Sequence, residues 1–309
     1  MSAETSVVFN VIVAVLGGAV RVGTPFLFVS LGECLTEKSG RINLGLEGNL
    51  IMGAMTGYGV SYLSGSAWLG VLAAGCTGLV LGLIHALLCQ QKRVNDIAVG
   101  IALMIFGTGL AFFLGKPFIQ PQAPGLPALA LGNWSDSPVV RAALEINVLF
   151  IIGLILVPAM TWFFNNARWG LMVRTVGEST DAALAMGLNV NRVRLLCTMA
   201  GGFLAGVGGS FLSLYYPGSW SEGLSSGQGL MAVALVIFAR WNPVYCLYAS
   251  LLFGGAAALG PALQSVGVTS GYYLFNAAPY VLTLGIMIAT SSSNRRLAGL
   301  PGELSNFGT

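Results

Sequence analysis

Long apolar segments separated by short charged ones constrain this chain more than any other feature of its sequence. Only 8% of the 309 residues are Asp, Glu, Lys or Arg, whereas hydrophobic residues make up 55%. An ordinary soluble domain carries about 25% charged residues, and so few charges could not cover the surface of a soluble protein. The composition excludes a soluble enzyme, a nucleic-acid-binding protein and a disordered chain. It predicts an integral membrane protein built of helices.

The apolar segments run unbroken instead of alternating with polar residues, which favours spanning helices over an outer-membrane barrel. A spanning helix needs about 20 mainly apolar residues, so we expect an all-α, polytopic bundle of about eight to ten helices in a single transmembrane domain, 1–309. The glycines, 43 in number, indicate close helix packing, as in the small-xxx-small pattern of Gly202 and Gly206. The candidate spans are 7–31 with a candidate break near 21–25, then 43–62, 67–89, 95–115, 146–164, 196–215, the short 227–240, 243–260 and 272–290.

Basic residues orient these spans, because cytoplasmic loops carry an excess of Lys and Arg. From residue 67 onward the basic segments lie two crossings apart, so all of them fit on the cytoplasmic side. The outward loops 116–145, 216–226 and 261–271 hold only Lys116 and Arg141, and the Pro- and Gly-rich first loop is expected to be irregular. The residues that define the cytoplasmic side are Lys92, Arg93, Arg168, Arg174, Arg192, Arg194, Arg240, Arg295 and Arg296.

The segment 32–42 gives a weaker signal of its side. Lys38 and Arg41 favour the cytoplasm, but Glu33 and Glu37 dilute the positive charge. The topology of the chain before residue 67 therefore stays open at the sequence level.

The first candidate functional segment is 40–49, where Asn43, Glu47 and Asn49 begin an apolar span among three glycines. A carboxylate in a membrane is costly when it faces lipid. Transporters tolerate broken helices where these line a cavity. Glu47 is therefore either a structural cap of a half-helix or part of a polar pathway. We take all three polar residues as candidates for the pathway or its gate.

A second interrupted segment lies at 216–243. Its apolar stretch, 227–240, is too short to cross a bilayer at 1.5 Å per residue. The sequence SSGQG precedes this stretch, and RWNP follows it. Two short, Gly-interrupted spans in corresponding parts of a chain indicate internal repeats around a central pathway. Gln228 therefore joins the candidate pathway residues.

The longest predicted cytoplasmic loop, 165–195, contains the helix-forming sequence ESTDAALAMGL at 178–188. Ser179 or Thr180 can cap this helix at its start, and Gly187 marks its end. The alternatives are a solvated linker helix and a helix that docks into a partner. A short apolar helix has little reason to face water alone, so we favour docking. The candidate contact residues are Glu178, Ser179, Asp181, Ala182, Ala183, Met186 and Gly187.

No catalytic constellation is evident in the sequence. The five cysteines include no C-x-x-C pair, so we predict neither a metal site nor a disulfide framework. The nearest match to a phosphate-binding loop, at Gly115 and Lys116, continues with Pro117 instead of Ser or Thr. The single histidine, His85, lies in an apolar span, where it is either a satisfied core residue or part of a proton relay.

Three motifs give the chain a resemblance to a known family. SGRINLGLEG at 39–48 resembles SG-x-x-NIGLEG, VRTVGE at 173–178 begins a match to RAVGENPRAADAAGI, and GQGLMAVAL with RWNP at 227–243 resembles GRGFIALAALIFGRWNP. Asn276 and APYVLTL at 278–284 add a weaker match. The chain resembles the permease subunits of ATP-binding-cassette importers in the branched-chain amino acid/simple sugar family, in its nucleoside-type subgroup.

The resemblance implies an inverted-repeat permease with discontinuous helices, in the bacterial cytoplasmic membrane. It implies three protein partners: an ATPase that binds ATP and Mg²⁺, a second related permease and an extracytoplasmic substrate-binding protein. Lipid is a further expected partner, whereas nucleic acid is not, and no cofactor is expected in this chain. Helix 178–188 then corresponds to the coupling helix. Nucleosides or purines are the expected solutes, and simple sugars or branched-chain amino acids are the rivals. A stand-alone secondary transporter, coupled through Glu47 and His85, is the alternative of a different class.

Overall fold

The computed structural model describes residues 3–91, 93–265, 267, 274–275, 277–290 and 299–305. Helices dominate this part of the chain. They are α1 (Ala3–Lys38), α2 (Leu46–Ser64), α3 (Ala67–Cys89), α4 (Asp96–Gly115), α5 (Pro138–Ala143), α6 (Val148–Asn166), α7 (Arg168–Glu178), α8 (Thr180–Ala185), α9 (Val190–Leu214), α10 (Gln228–Phe238), α11 (Pro243–Ser265), α12 (Ala278–Thr290) and α13 (Gly302–Ser305). Four residues used above, Lys92, Asn276, Arg295 and Arg296, lie outside the described residues.

Six helices in the described part are long and apolar enough to cross a membrane. They correspond to α1, α3, α4, α6, α9 and α11. The other predicted spans are also helices, but α2 carries Glu47 and Asn49, while α10 and α12 are only 11 and 13 residues long. The protein is thus an all-α, multi-pass membrane protein whose long spans are accompanied by shorter or more polar helices.

Helix α1 runs without a break through the predicted interruption at 21–25. Pro25 lacks a backbone N–H, but membrane helices tolerate proline where neighbouring helices support them. A Cβ at Gly23 would lie 2.9 Å from the Ser250 carbonyl oxygen, and one at Gly32 would lie 2.6 Å from that of Gly201. Close packing against α11 and α9 on either side of Pro25 therefore holds α1 in a single helix.

The segment 116–145, predicted as an outer loop, is more ordered than its composition indicates. A short strand, β1 (Ala128–Ala130), pairs antiparallel with β2 (Glu145–Asn147). The Leu126 N–H donates to the Leu214 carbonyl at 2.8 Å, and the Tyr58 hydroxyl donates to the Pro121 carbonyl at 2.8 Å. These contacts with helix ends give the Pro- and Gly-rich segment a fixed path.

Of the six long spans in the described part of the chain, α9 is the most buried, and it packs against α1, α2 and α3. A side chain at Gly202 would overlap the Gly78 carbonyl, and one at Gly206 would overlap that of Ala74. The predicted small-xxx-small packing is therefore confirmed. The Ser213 hydroxyl also donates to the Ala54 carbonyl at 2.7 Å. This contact holds α9 against α2, the helix that carries Glu47 and Asn49.

Candidate functional site

The Glu47 side chain, in the first turn of α2, caps the beginning of α10. Its carboxylate accepts the Gly229 N–H at 2.6 Å, the Gly227 N–H at 3.1 Å and the Ser225 hydroxyl. The first amides of a helix have no partner within that helix, and they favour a negative charge. Glu47, only 6% exposed, therefore meets donors that the break before α10 leaves free.

Two glycines allow this close approach of α10 to α2. Gly227 has φ +82°, a conformation that side chains disfavour. A Cβ at Gly229 would lie 2.6 Å from the Glu47 Cα atom. The sequence SSGQG thus provides both the turn and the space for a carboxylate from another helix.

Helix α10 is too short to cross a membrane by itself. Its 11 residues extend about 16 Å, at 1.5 Å per residue, which is about half of the ~30 Å hydrocarbon core. Beyond its far end, the Trp241 indole N–H donates to the Glu37 carboxylate near the end of α1. Glu47 therefore binds one end of a helix about half a span long, and Glu37 binds a residue beyond its other end.

Of the other predicted pathway residues, Gln228 lies at this break, Asn43 precedes α2, and Asn49 lies in the first turn of α2. Asn43 is buried, and its Oδ1 accepts the Gly45 N–H at 3.0 Å. Asn43 Nδ2, Asn49 Nδ2 and Gln228 Oε1 are among the buried atoms that lack a hydrogen-bond partner within the described part of the chain. Gln228 lies between the two glycines that bind Glu47, whereas no described hydrogen bond joins either asparagine to it. Their role in a pathway stays a prediction.

Glu33 and Glu37 are two buried carboxylates that were not predicted as site residues. They are not charges of a connecting segment, because both lie in α1 and are only 0% and 3% exposed. Glu33 accepts the Asn43 N–H at 2.8 Å, while its Oε2 atom has no partner among the described residues. Their four-residue spacing, which places two side chains on one helix face, was the available signal.

An ion pair fixes the turn that precedes α2. The Arg41 guanidinium contacts Asp96 Oδ1 at 2.5 Å and donates to the Cys89 carbonyl at 2.7 Å. His85 Nε2 lies 3.4 Å from the Asp96 carbonyl oxygen. Among the described contacts, none joins His85 to Glu47, the pair that a secondary transporter would use.

The predicted coupling helix is a short helix with its expected cap. Glu178 ends α7, and the Ser179 hydroxyl accepts the Ala182 N–H at 3.2 Å at the start of α8. Gly187, with φ +75°, follows the helix. The loop 165–195 is therefore mostly helical, because α7 and α8 follow one another and α9 begins at Val190.

The exposed face of α8 differs from the predicted contact set in one respect. Ala183 is 0% exposed and packs within a core cluster of its own chain. Leu184, which was not among the candidates, is 57% exposed, and Met186 is 66% exposed. Ala183 therefore lies on the side of this short helix that packs against the rest of the chain. The apolar surface open to a partner is formed by Leu184 and Met186.

Residues 15–291 match the family described as "Branched-chain amino acid transport system / permease component". The chain belongs to this permease family. The match covers α2, α8 and α10, so the capping site and the exposed face of α8 are parts of a permease. The resemblance drawn from the three motifs is confirmed.

Several named permeases are similar to this member of the family over most of its length. TsgC13 of Haloferax volcanii, named as a candidate glucose ABC transporter permease protein, is 34% identical over 82% of this chain and 78% of its own. The guanosine ABC transporter permease protein NupQ of Bacillus subtilis is 31% identical over 84% and 86%. The nucleoside ABC transporter permease protein NupC of Lactococcus lactis is 28% identical over 91% and 93%.

Proposed function

We propose that this chain is the transmembrane permease subunit of an ATP-binding-cassette importer for nucleosides or purines. The observation that carries the proposal is α8, a helix outside the spans that is anchored through Ala183 and presents Leu184 and Met186. Exposed apolar side chains on a short helix fit a hydrophobic groove of a partner protein. A partner ATPase would bind this face and drive alternating access.

The proposed solute rests on relatives and on the chemistry near the break before α10. NupQ and NupC are named for guanosine and nucleoside transport. The buried amides of Asn43, Asn49 and Gln228 suit a neutral solute with donors and acceptors of its own. Glucose, which appears in the name of TsgC13, is the rival solute.

The remaining subunits follow from the same proposal. ATP and Mg²⁺ would be bound by the ATPase, and this chain carries no phosphate-binding loop in its sequence. A second related permease would complete the pathway, and an extracytoplasmic binding protein would deliver the solute. The assembly would lie in the bacterial cytoplasmic membrane and would use no cofactor in this chain.

The test compares Leu184→Arg with Leu131→Arg, a matched control in the outer loop, where Leu131 is 56% exposed. The complex is purified in mild detergent through a tag on the permease, and nucleoside uptake is measured in cells. Leu184→Arg should lose both the ATPase and uptake, because an arginine would be buried in an apolar groove. The control should keep both.

Two results would contradict the proposal. One is full retention of the ATPase and of uptake by Leu184→Arg. The other is uptake by the wild-type protein that stops when the ion gradient is collapsed but continues when ATP is depleted. The second result would favour the secondary transporter.

A further inference from the structure

Arg194, near the start of α9, joins three segments that are distant in sequence. Its Nη2 atom donates to the Thr180 hydroxyl of α8 at 3.0 Å and lies 3.3 Å from Glu303 Oε2 of α13. Its Nε atom donates to the Ser39 carbonyl at 3.1 Å. One guanidinium therefore contacts the predicted coupling helix, the C-terminal segment and the turn that leads to α2.

Glu303 completes this junction from the C-terminal side. Its Oε1 atom accepts the Thr180 N–H at 2.7 Å, so it caps the first turn of α8. Partial burial alone would raise the pKa of Glu303, but hydrogen bonds from Thr180 and the charge of Arg194 outweigh burial and lower that pKa. The carboxylate is thus charged at neutral pH, as both contacts require.

The C-terminal segment is also fitted to the end of α7. A side chain at Gly302 would overlap the Glu178 carbonyl. Leu304, one residue beyond Glu303, is buried. The segment 299–305 therefore packs on the α7–α8 junction and holds Glu303 beside α8.

From Ser39 the contacts continue to the capping site. In the turn after Ser39, Arg41 forms an ion pair with Asp96, and the Asn43 N–H donates to Glu33. Helix α2 begins directly after this turn and carries Glu47 in its first turn. A displacement of α8 that moves Arg194 would pull on the Ser39 carbonyl and change the position of this turn. Energetic coupling between distant sites can follow such contiguous hydrogen-bonded contacts.

We propose that Arg194 and Glu303 form a clasp that transmits the movement of α8 to the turn before α2. The C-terminal segment is then a positioning element of transport and not a passive tail. This inference rests on the proposed function, because it requires an ATPase that moves α8. Neither residue was among the candidates taken from the sequence.

The test uses the complete transport complex in liposomes, with solute uptake and ATP hydrolysis measured together. Arg194→Gln and Glu303→Ala should still assemble with the ATPase, since the face formed by Leu184 and Met186 is unchanged. We expect uptake per ATP hydrolysed to fall about tenfold, within the range for residues that carry coupling between sites. Arg194→Lys, which keeps the charge but not the forked donors, should give an intermediate ratio.

Arg192→Gln is the matched control, because Arg192 is exposed and its side chain makes no described contact. It should keep the wild-type ratio of uptake to hydrolysis. The inference is overturned if Arg194→Gln and Glu303→Ala keep that ratio, or if they lower only the yield of folded complex. Wild-type protein that shows no ATP-driven uptake would overturn the proposed function as well, so the two failures are distinguishable.

Discussion

Buried carboxylates are the residues that tie the helices of this permease together. Glu47 binds the start of α10, and Glu37 binds Trp241, which lies beyond the end of α10. Asp96 binds Arg41 in the turn before α2. An ionisable group within a membrane is costly unless it has partners. Each of these carboxylates finds its donors on another segment, so each one specifies where two segments meet.

Replacing Glu47 with Gln tests this role at the level of one residue. The amide keeps the size of the side chain, but its NH₂ group would face an N–H donor of α10. We expect a loss of about 1–3 kcal/mol in stability, the usual cost of an unsatisfied buried donor, together with lower transport. Thermal unfolding in detergent measures the first effect, with the exposed Glu222→Gln as the control. An unchanged unfolding temperature with reduced transport would mark Glu47 as a pathway residue without a structural role.

The close contacts of α9 with α2 and α3 depend on glycines. Gly206 lies against the Ala74 carbonyl, and Gly209 lies against that of Leu50. A methyl group at either position would require the backbones to separate. Backbone contacts at these glycines thus fix the position of α9, and larger residues at the same positions would displace the helix.

Gly206→Ala and Gly109→Ala form a matched pair of helical substitutions. Gly206→Ala should destabilise the protein by about 1–3 kcal/mol through overpacking. Gly109, in α4, has open space where its Cβ would lie, so its replacement should stabilise the helix by about 0.5–1 kcal/mol. The measurement is the thermal unfolding temperature of both variants in the same detergent. A similar change in unfolding temperature at the two positions would contradict the packing described for α9.

Local sequence signals anticipated the helices better than the contacts between them. The long apolar runs, the Ser179 cap and the break before α10 follow from hydropathy, capping and glycine spacing. The junction of Arg194 with Glu303 does not, because 109 residues separate the two and no local pattern relates them. The continuity of α1 through Pro25 was missed for the same reason, since packing by α9 and α11 supports it.

At the scale of the whole molecule, contacts from several segments meet at each end of the bundle. The turn 39–41, the α7–α8 junction and α13 lie together at one end, whereas β1, β2 and α5 lie at the other. The arginines of α7 and of the start of α9 belong to the first end. The positive-inside rule predicts that this end faces the cytoplasm.

Cysteine labelling in intact cells tests the predicted orientation. In a Cys76→Ala background, Ser135→Cys should react with a membrane-impermeant maleimide added from outside, because Ser135 lies in the predicted outer loop. Met186→Cys, on the exposed face of α8, should react only after the cells are permeabilised. The opposite pattern would reverse the topology and would remove α8 from the reach of a cytoplasmic ATPase.

The cap on α10 also has a consequence for biosynthesis. Glu47 and Gly229 are 182 residues apart in the chain. At about 5–20 residues per second, Glu47 is made about 10–40 s before its amide donors. During that interval the carboxylate has none of the three donors that bind it in the folded protein. A ribosome that stalls before Ser225 therefore leaves a nascent permease whose Glu47 carboxylate lacks its donors, which distinguishes it chemically from the finished protein.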